Sequence, residues 1–169
     1  MYRPQELEPG MVLLMTEGPR RNLLDCLIAW STANPFVHAC LVGEGTLIDP
    51  LWRVVEHPLD RYAANGWAFR VPEADAAVRA QAVAWAQARL GRVYGLAELL
   101  ADGARFDLHW LPLGGRWHPR HWTCSGFVAM AYRAAGLPLT LAPYPAPADL
   151  SYSPRLAGPR PWEAGPGPP

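Results

Sequence analysis

Residues 121–136, His-Trp-Thr-Cys-Ser-Gly-Phe-Val-Ala-Met-Ala-Tyr-Arg-Ala-Ala-Gly, constrain the fold more than any other stretch. Phe127, Val128, Ala131 and Ala135 recur at three- and four-residue steps from Cys124, the spacing of one buried helical face. Thr123 suits the N-cap, and Gly136 followed by Pro138 reads as a stop. Cys124 is thereby placed in the first helical turn, where free backbone N–H groups favour an anion. A thiol whose ordinary pKa is about 8.5 becomes more acidic at such a place. Free cysteine is also among the most buried residue types, so a nucleophile requires a base in addition.

The candidate base lies on an early hairpin. Phe36-Val-His-Ala-Cys-Leu-Val42 is followed by Gly43-Glu44-Gly45 and Thr46-Leu-Ile-Asp49, the pattern of two strands joined by a tight turn. Alternation puts His38, Cys40 and Val42 on one face and Val37, Ala39 and Leu41 on the other. A two-residue loop at Glu44-Gly45 pairs Val42 with Leu47 and brings Asp49 onto the His38 face. A three-residue loop turns Asp49 the other way. Taken singly, His38 in an apolar strand is more often a core histidine than a catalyst, and Asp49-Pro50 also reads as turn chemistry.

Elsewhere the pattern is of mixed elements. Residues 10–16 read as a buried strand, 22–32 as an amphipathic helix, 51–56 as a further strand or a loop edge, and 67–71 as another strand. Residues 73–90 read as a helix, 92–100 as a shorter helical piece, and 101–122 as a surface loop. From Pro143 onward nine of 27 residues are proline, which excludes a helix or central strand over most of that length. The expected division is one domain over 1–156 and a Pro/Gly-rich tail, extended or disordered, over 157–169.

A chain of 169 residues that is 50% apolar suits one globular core. Fifteen acidic and fifteen basic residues cancel, so no nucleic-acid footprint is expected. Three cysteines, Cys26, Cys40 and Cys124, are too few for a disulfide framework. No stretch has the length of a membrane span, and the first residues lack the apolar core of a signal peptide, so a cytoplasmic protein is expected.

A histidine and a carboxylate on neighbouring strands, with a cysteine opening a later helix, form the set used by thiol hydrolases. Cys124-Ser-Gly-Phe-Val resembles the nucleophile motif of the NlpC-type cell-wall peptidases, a branch of the papain-like superfamily. The family's usual order is cysteine element before histidine strand. The order here is reversed and resembles the circularly permuted, YiiX-like subgroup, related in layout to lecithin:retinol acyltransferases. Residues 10–16 resemble its opening strand, Leu27 to His38 its helix leading to the histidine strand, Gly91-Arg-Val-Tyr94 its Gly-x-x-Tyr, and Pro147-Ala-Asp-Leu its closing segment.

The resemblance implies an α+β papain-like fold, circularly permuted, with an antiparallel sheet packed against helices. It implies Cys124 as nucleophile, His38 as general base and then acid, and Asp49 as the group that orients the ring. Tyr94, Trp122 and Ser125 are expected at the substrate. No cofactor or metal is expected. The substrate would be a peptide, a peptidoglycan fragment or an acyl lipid, the last requiring an acyltransferase or amidase. Two rivals differ in kind. One is a zinc site built from His38, Cys40 and Cys124 with His118 or His121, which lacks Cys-x-x-Cys spacing. The other is a non-catalytic module using Trp110, Trp117 and Trp122 as an aromatic platform.

Overall fold

The computed structural model describes residues 2–3, 6–16, 26, 29–30, 32–51, 53–92, 123–143 and 145–161. Six strands, β1 (Val12–Thr16), β2 (Phe36–Val42), β3 (Thr46–Pro50), β4 (Val54–Pro58), β5 (Gly66–Arg70) and β6 (Ala157–Pro161), form one sheet in the order β4-β3-β2-β1-β5-β6. Every neighbouring pair is antiparallel. Among the elements bounded within the described residues, helices α1 (Ala76–Gln87), α2 (Cys124–Ala134) and the short α3 (Pro147–Ser151) accompany it. The fold is therefore α+β, as expected.

β1 shows why its sequence runs apolar without alternation. Val12 and Leu14 face the helices, packing with Ala39, Leu41, Phe69, Phe127, Val128 and Tyr132. Leu13 and Met15 face the opposite side, with Tyr2, Leu7, Met11, Cys40, Val42 and Leu47. A strand buried on both faces has no solvent side to mark with polar residues.

The helices follow their capping signals. Asp75 caps α1, its side chain accepting from the Val78 amide at 2.8 Å. The helix therefore starts three residues after the expected Glu73, and it ends at Gln87 rather than Leu90. Thr123 caps α2 by accepting from the Gly126 amide at 3.1 Å. At its other end Gly136 takes φ +81°, and the Leu137 amide donates to the Tyr132 carbonyl at 2.9 Å, closing the last carbonyls as glycine-terminated helices do. The rings of Trp85 on α1 and Phe127 on α2 pack with centroids 5.4 Å apart. The Tyr132 hydroxyl, buried, donates to the carbonyl of Gly10 just before β1.

Several expectations are adjusted. The strand read at 51–56 is β4, Val54–Pro58, followed by a 3-10 turn over Leu59–Tyr62. The first residues of the expected tail are extended as β6, whose Ala157 pairs with Arg70 and whose Pro161 pairs with Trp67. β6 is an edge strand, the place in a sheet where proline is tolerated. The helix expected over 22–32 falls mostly outside the described residues, as do 94–122. Among the described residues, no helix is long and apolar enough to cross a membrane.

Candidate active site

The hairpin adopts the two-residue loop. Gly43 donates its amide to the Thr46 carbonyl at 2.8 Å, Gly45 takes φ +74°, and Val42 pairs with Leu47. This register carries Asp49 to the His38 face. The His38 Nε2 atom lies 2.7 Å from Asp49 Oδ1, and Asp49 is fully buried. Nδ1 is left as the ring atom available to a third group.

The group whose charge couples most strongly to that of His38 is the Cys124 sulfur, in the first turn of α2. His38 keeps the side of Cys40 and Val42, where it meets Asp49 and Tyr62. The register slips just before it, since Met15 pairs with His38 but Thr16 pairs with Phe36, leaving Val37 as an extra residue. Such bulges bend a strand and re-aim its side chains. The imidazole stands at this irregularity, between the carboxylate of β3 and the thiol that opens α2.

The electrostatics favour the charged form of each partner. Burial raises the Cys124 thiol, but the facing His38 charge, the His38 hydrogen bond and backbone hydrogen bonds at Ala39 and Ser125 together bring it below its ordinary value. Burial disfavours a charged His38, yet the sulfurs of Cys124 and Cys40 and the Asp49 hydrogen bond raise it well above the usual histidine value. Asp49 is lowered despite its burial, because His38 and then Tyr62 donate to it. A thiolate facing an imidazolium is the form competent for nucleophilic attack. His38 is about one-fifth exposed, 18% by side chain, and Cys124 is partly exposed, so the pair is reachable.

Two members of the site were not foreseen. The Tyr62 hydroxyl donates to Asp49 Oδ2 at 2.6 Å, and its ring meets His38 edge-on with centroids 6.1 Å apart. Burial and the Asp49 charge push the Tyr62 phenol upward, so it stays a donor. The Nε2 atom of His57, on β4, lies 3.7 Å from the same Oδ2. Burial and the neighbouring Arg61 lower His57, against the pull of Asp49. Period-two alternation would have revealed His57 had β4 been extended to Pro58. Tyr62 arrives on a turn and carries no periodic signal.

The remaining expected residues divide. Ser125 is fully buried and donates its hydroxyl to the Pro145 carbonyl at 2.6 Å. What Ser125 offers the site is its backbone rather than the substrate-facing side chain expected of it. Tyr94 and Trp122 lie outside the described residues, as do Trp110, Trp117, His118 and His121. Cys40 is fully buried beside the pair, its thiol raised by burial and by Asp49.

A metal must also be weighed against these side chains. Donor atoms of His38, Cys40 and Asp49 all lie within 4.8 Å of one another, an N, S and O set of the kind zinc accepts. The Nε2 atom of His57 is buried and makes no hydrogen bond among the described residues. The donors thus fit a divalent ion of that class.

No family model matches the chain, and no curated protein matches it. Among solved structures, it is similar to the crystal structure of metalloprotein yiiX from Escherichia coli O157:H7, with a TM-score of 0.69 and 14% identity over 94% of this chain and 98% of that one. At that identity the likeness speaks to architecture alone. Over nearly its whole length, then, the chain has a fold similar to that of yiiX.

Proposed function

We propose that the protein is a thiol hydrolase of papain-like type, circularly permuted relative to the NlpC peptidases, that cleaves an amide bond through an acyl-enzyme. The observation that carries this reading is His38 held by Asp49 at 2.7 Å, with Cys124 opening α2 as the charge partner that the ring favours as thiolate. Cys124 thiolate adds to the substrate carbonyl, forming a C–S bond. The oxyanion is met by the Cys124 backbone N–H at the mouth of α2. His38 passes its proton to the departing amine as the C–N bond breaks. It then takes a proton from water, which attacks the thioester and returns the thiolate. Asp49 keeps the ring aligned throughout and stays ionised.

The substrate best suited to this chemistry is a peptide, such as a cell-wall peptide, with an acyl lipid as the alternative acceptor-dependent case. The yiiX neighbour is described as a metalloprotein, and the donor cluster favours a second reading. His38, Cys40 and Asp49 would hold a divalent ion, which when bound could polarise a carbonyl or a water molecule.

The deciding experiment incubates wild type and Cys124→Ala with peptidoglycan fragments and with acyl lipids, with and without a chelator, and identifies products by mass spectrometry. The thiol reading expects products from wild type alone, persisting after chelation. Equal products from both proteins would remove it, and loss on chelation would favour the metal reading.

A further inference from the structure

Two groups beside Asp49 have no task in thiol chemistry. Cys40 presents a fully buried sulfur next to His38 and Asp49. His57 directs a buried Nε2, without a hydrogen bond among the described residues, toward Asp49 Oδ2 at 3.7 Å. The register explains why both border Asp49 on one sheet face, with His57 just outside the cluster of His38, Cys40 and Asp49 and one side-chain adjustment from joining it. Leu47 pairs with both Val42 and His57, so His57 shares the sheet face that carries Cys40, Val42 and Asp49. This face lies on the side away from α2, and its cover includes Leu59 and Tyr62 of the 3-10 turn.

We propose that Cys40 and His57, together with His38 and Asp49, form a regulatory site for a divalent ion of the zinc class, whose occupancy silences Cys124. The silencing half rests on the thiol-hydrolase reading. Two imidazoles, one thiolate and one carboxylate make a four-ligand set that matches zinc in number and softness and suits calcium or magnesium poorly. The ion takes the place of the proton that His38 Nε2 and Asp49 Oδ1 now share across 2.7 Å. Cys40 gives its own proton to solvent on ligation, and thiolate and carboxylate then balance the ion's two charges. The Tyr62 hydroxyl remains on the carboxylate as an orienting donor. With Nε2 on the ion, His38 keeps its remaining proton on Nδ1 and has no site left to take up the proton of the Cys124 thiol, so it cannot cycle between base and acid. Metal-bound and thiol-active forms are therefore alternatives.

The test uses the full chain, with Co²⁺ as a spectroscopic probe and Zn²⁺ as competitor. Wild type should develop a thiolate-to-cobalt charge-transfer band that Zn²⁺ abolishes. The band should persist in Cys124→Ser, vanish in Cys40→Ser, and require at least about tenfold more cobalt in His57→Ala. Circular dichroism checks that each variant is folded. A band that survives Cys40→Ser but is lost in Cys124→Ser, or no band in folded wild type, would overturn the site. Separately, Zn²⁺ should slow alkylation of Cys124 at least about tenfold in wild type and leave Cys40→Ser unaffected. An unchanged wild-type rate would overturn the switch. If Cys124 is unreactive even without metal, the hydrolase reading and the silencing fail together while the cobalt band still reports on the site.

Discussion

Tyr62 holds Asp49 from one side while His38 holds it from the other. The phenol takes Oδ2 at 2.6 Å and the imidazole takes Oδ1 at 2.7 Å. A fully buried carboxylate is costly unless its oxygens are occupied. Here both are, which allows Asp49 to remain charged in the core and to fix which ring nitrogen faces the sulfur.

Replacing Tyr62 by Phe keeps the ring and deletes the donor. Oδ2 is then left short of a partner, at a cost of about 1–3 kcal/mol in urea unfolding. The Asp49 pKa should rise, and the pH profile of Cys124 alkylation should move up with it. A variant with wild-type stability and profile would remove Tyr62 from this arrangement.

Thiol reactivity gives the second prediction. Cys124 should react with iodoacetamide at pH values where an ordinary thiol, pKa about 8.5, is still largely protonated. Peptide mapping separates it from the partly buried Cys26. In His38→Ala the rate at Cys124 should fall to that of an unactivated thiol, because the facing charge and hydrogen bond are both gone.

Stability should depend on pH in two windows. Asp49 is lowered on folding, so its contribution is present above its unfolded value near about 3.9 and is lost as pH falls through the lower folded value. His38 is raised, so its contribution is complete below about 6.5 and is lost as pH rises through its folded value. Urea titrations of wild type and Asp49→Asn across pH should show the gap between them narrowing at both extremes. A gap independent of pH would contradict this assignment.

The turn at Gly45 offers a control remote from the chemistry. A side chain there would meet nothing within 4 Å, but φ is +74°. Gly45→Ala should therefore cost about 1–2 kcal/mol through backbone strain alone, read as a lower thermal midpoint with Cys124 alkylation unchanged.

Ser125→Ala tests the start of α2. The substitution removes the 2.6 Å donor to the Pro145 carbonyl and leaves it the longer bond from the Thr123 hydroxyl at 3.4 Å, at a cost of about 1 kcal/mol. Because the backbone of Ser125 is what meets Cys124, alkylation should slow only modestly. Loss of reactivity in a stably folded Ser125→Ala would show that the hydroxyl itself takes part.

Local signals set much of this structure directly. Thr123 and Gly136 mark the ends of α2 because a cap and a left-handed stop are local chemistry. Loop length at Glu44-Gly45 determines which strand residues share a face, so the sequence offered two placements of Asp49, and the observed two-residue loop selects the one beside His38. What the chain could not announce by itself depends on contacts between distant segments. β6 finds its partner in β5, and proline content rules out a central strand but not an edge. His57 joins Asp49 only through the pairing of β4 with β3, and Tyr62 only through the turn that folds back over that face. The nearness of Cys124 to His38 depends on the seating of α2 on the sheet. Periodicity decides which side of its own element a residue occupies. Only packing decides which two sides come together, because burial is scored between segments and not along them.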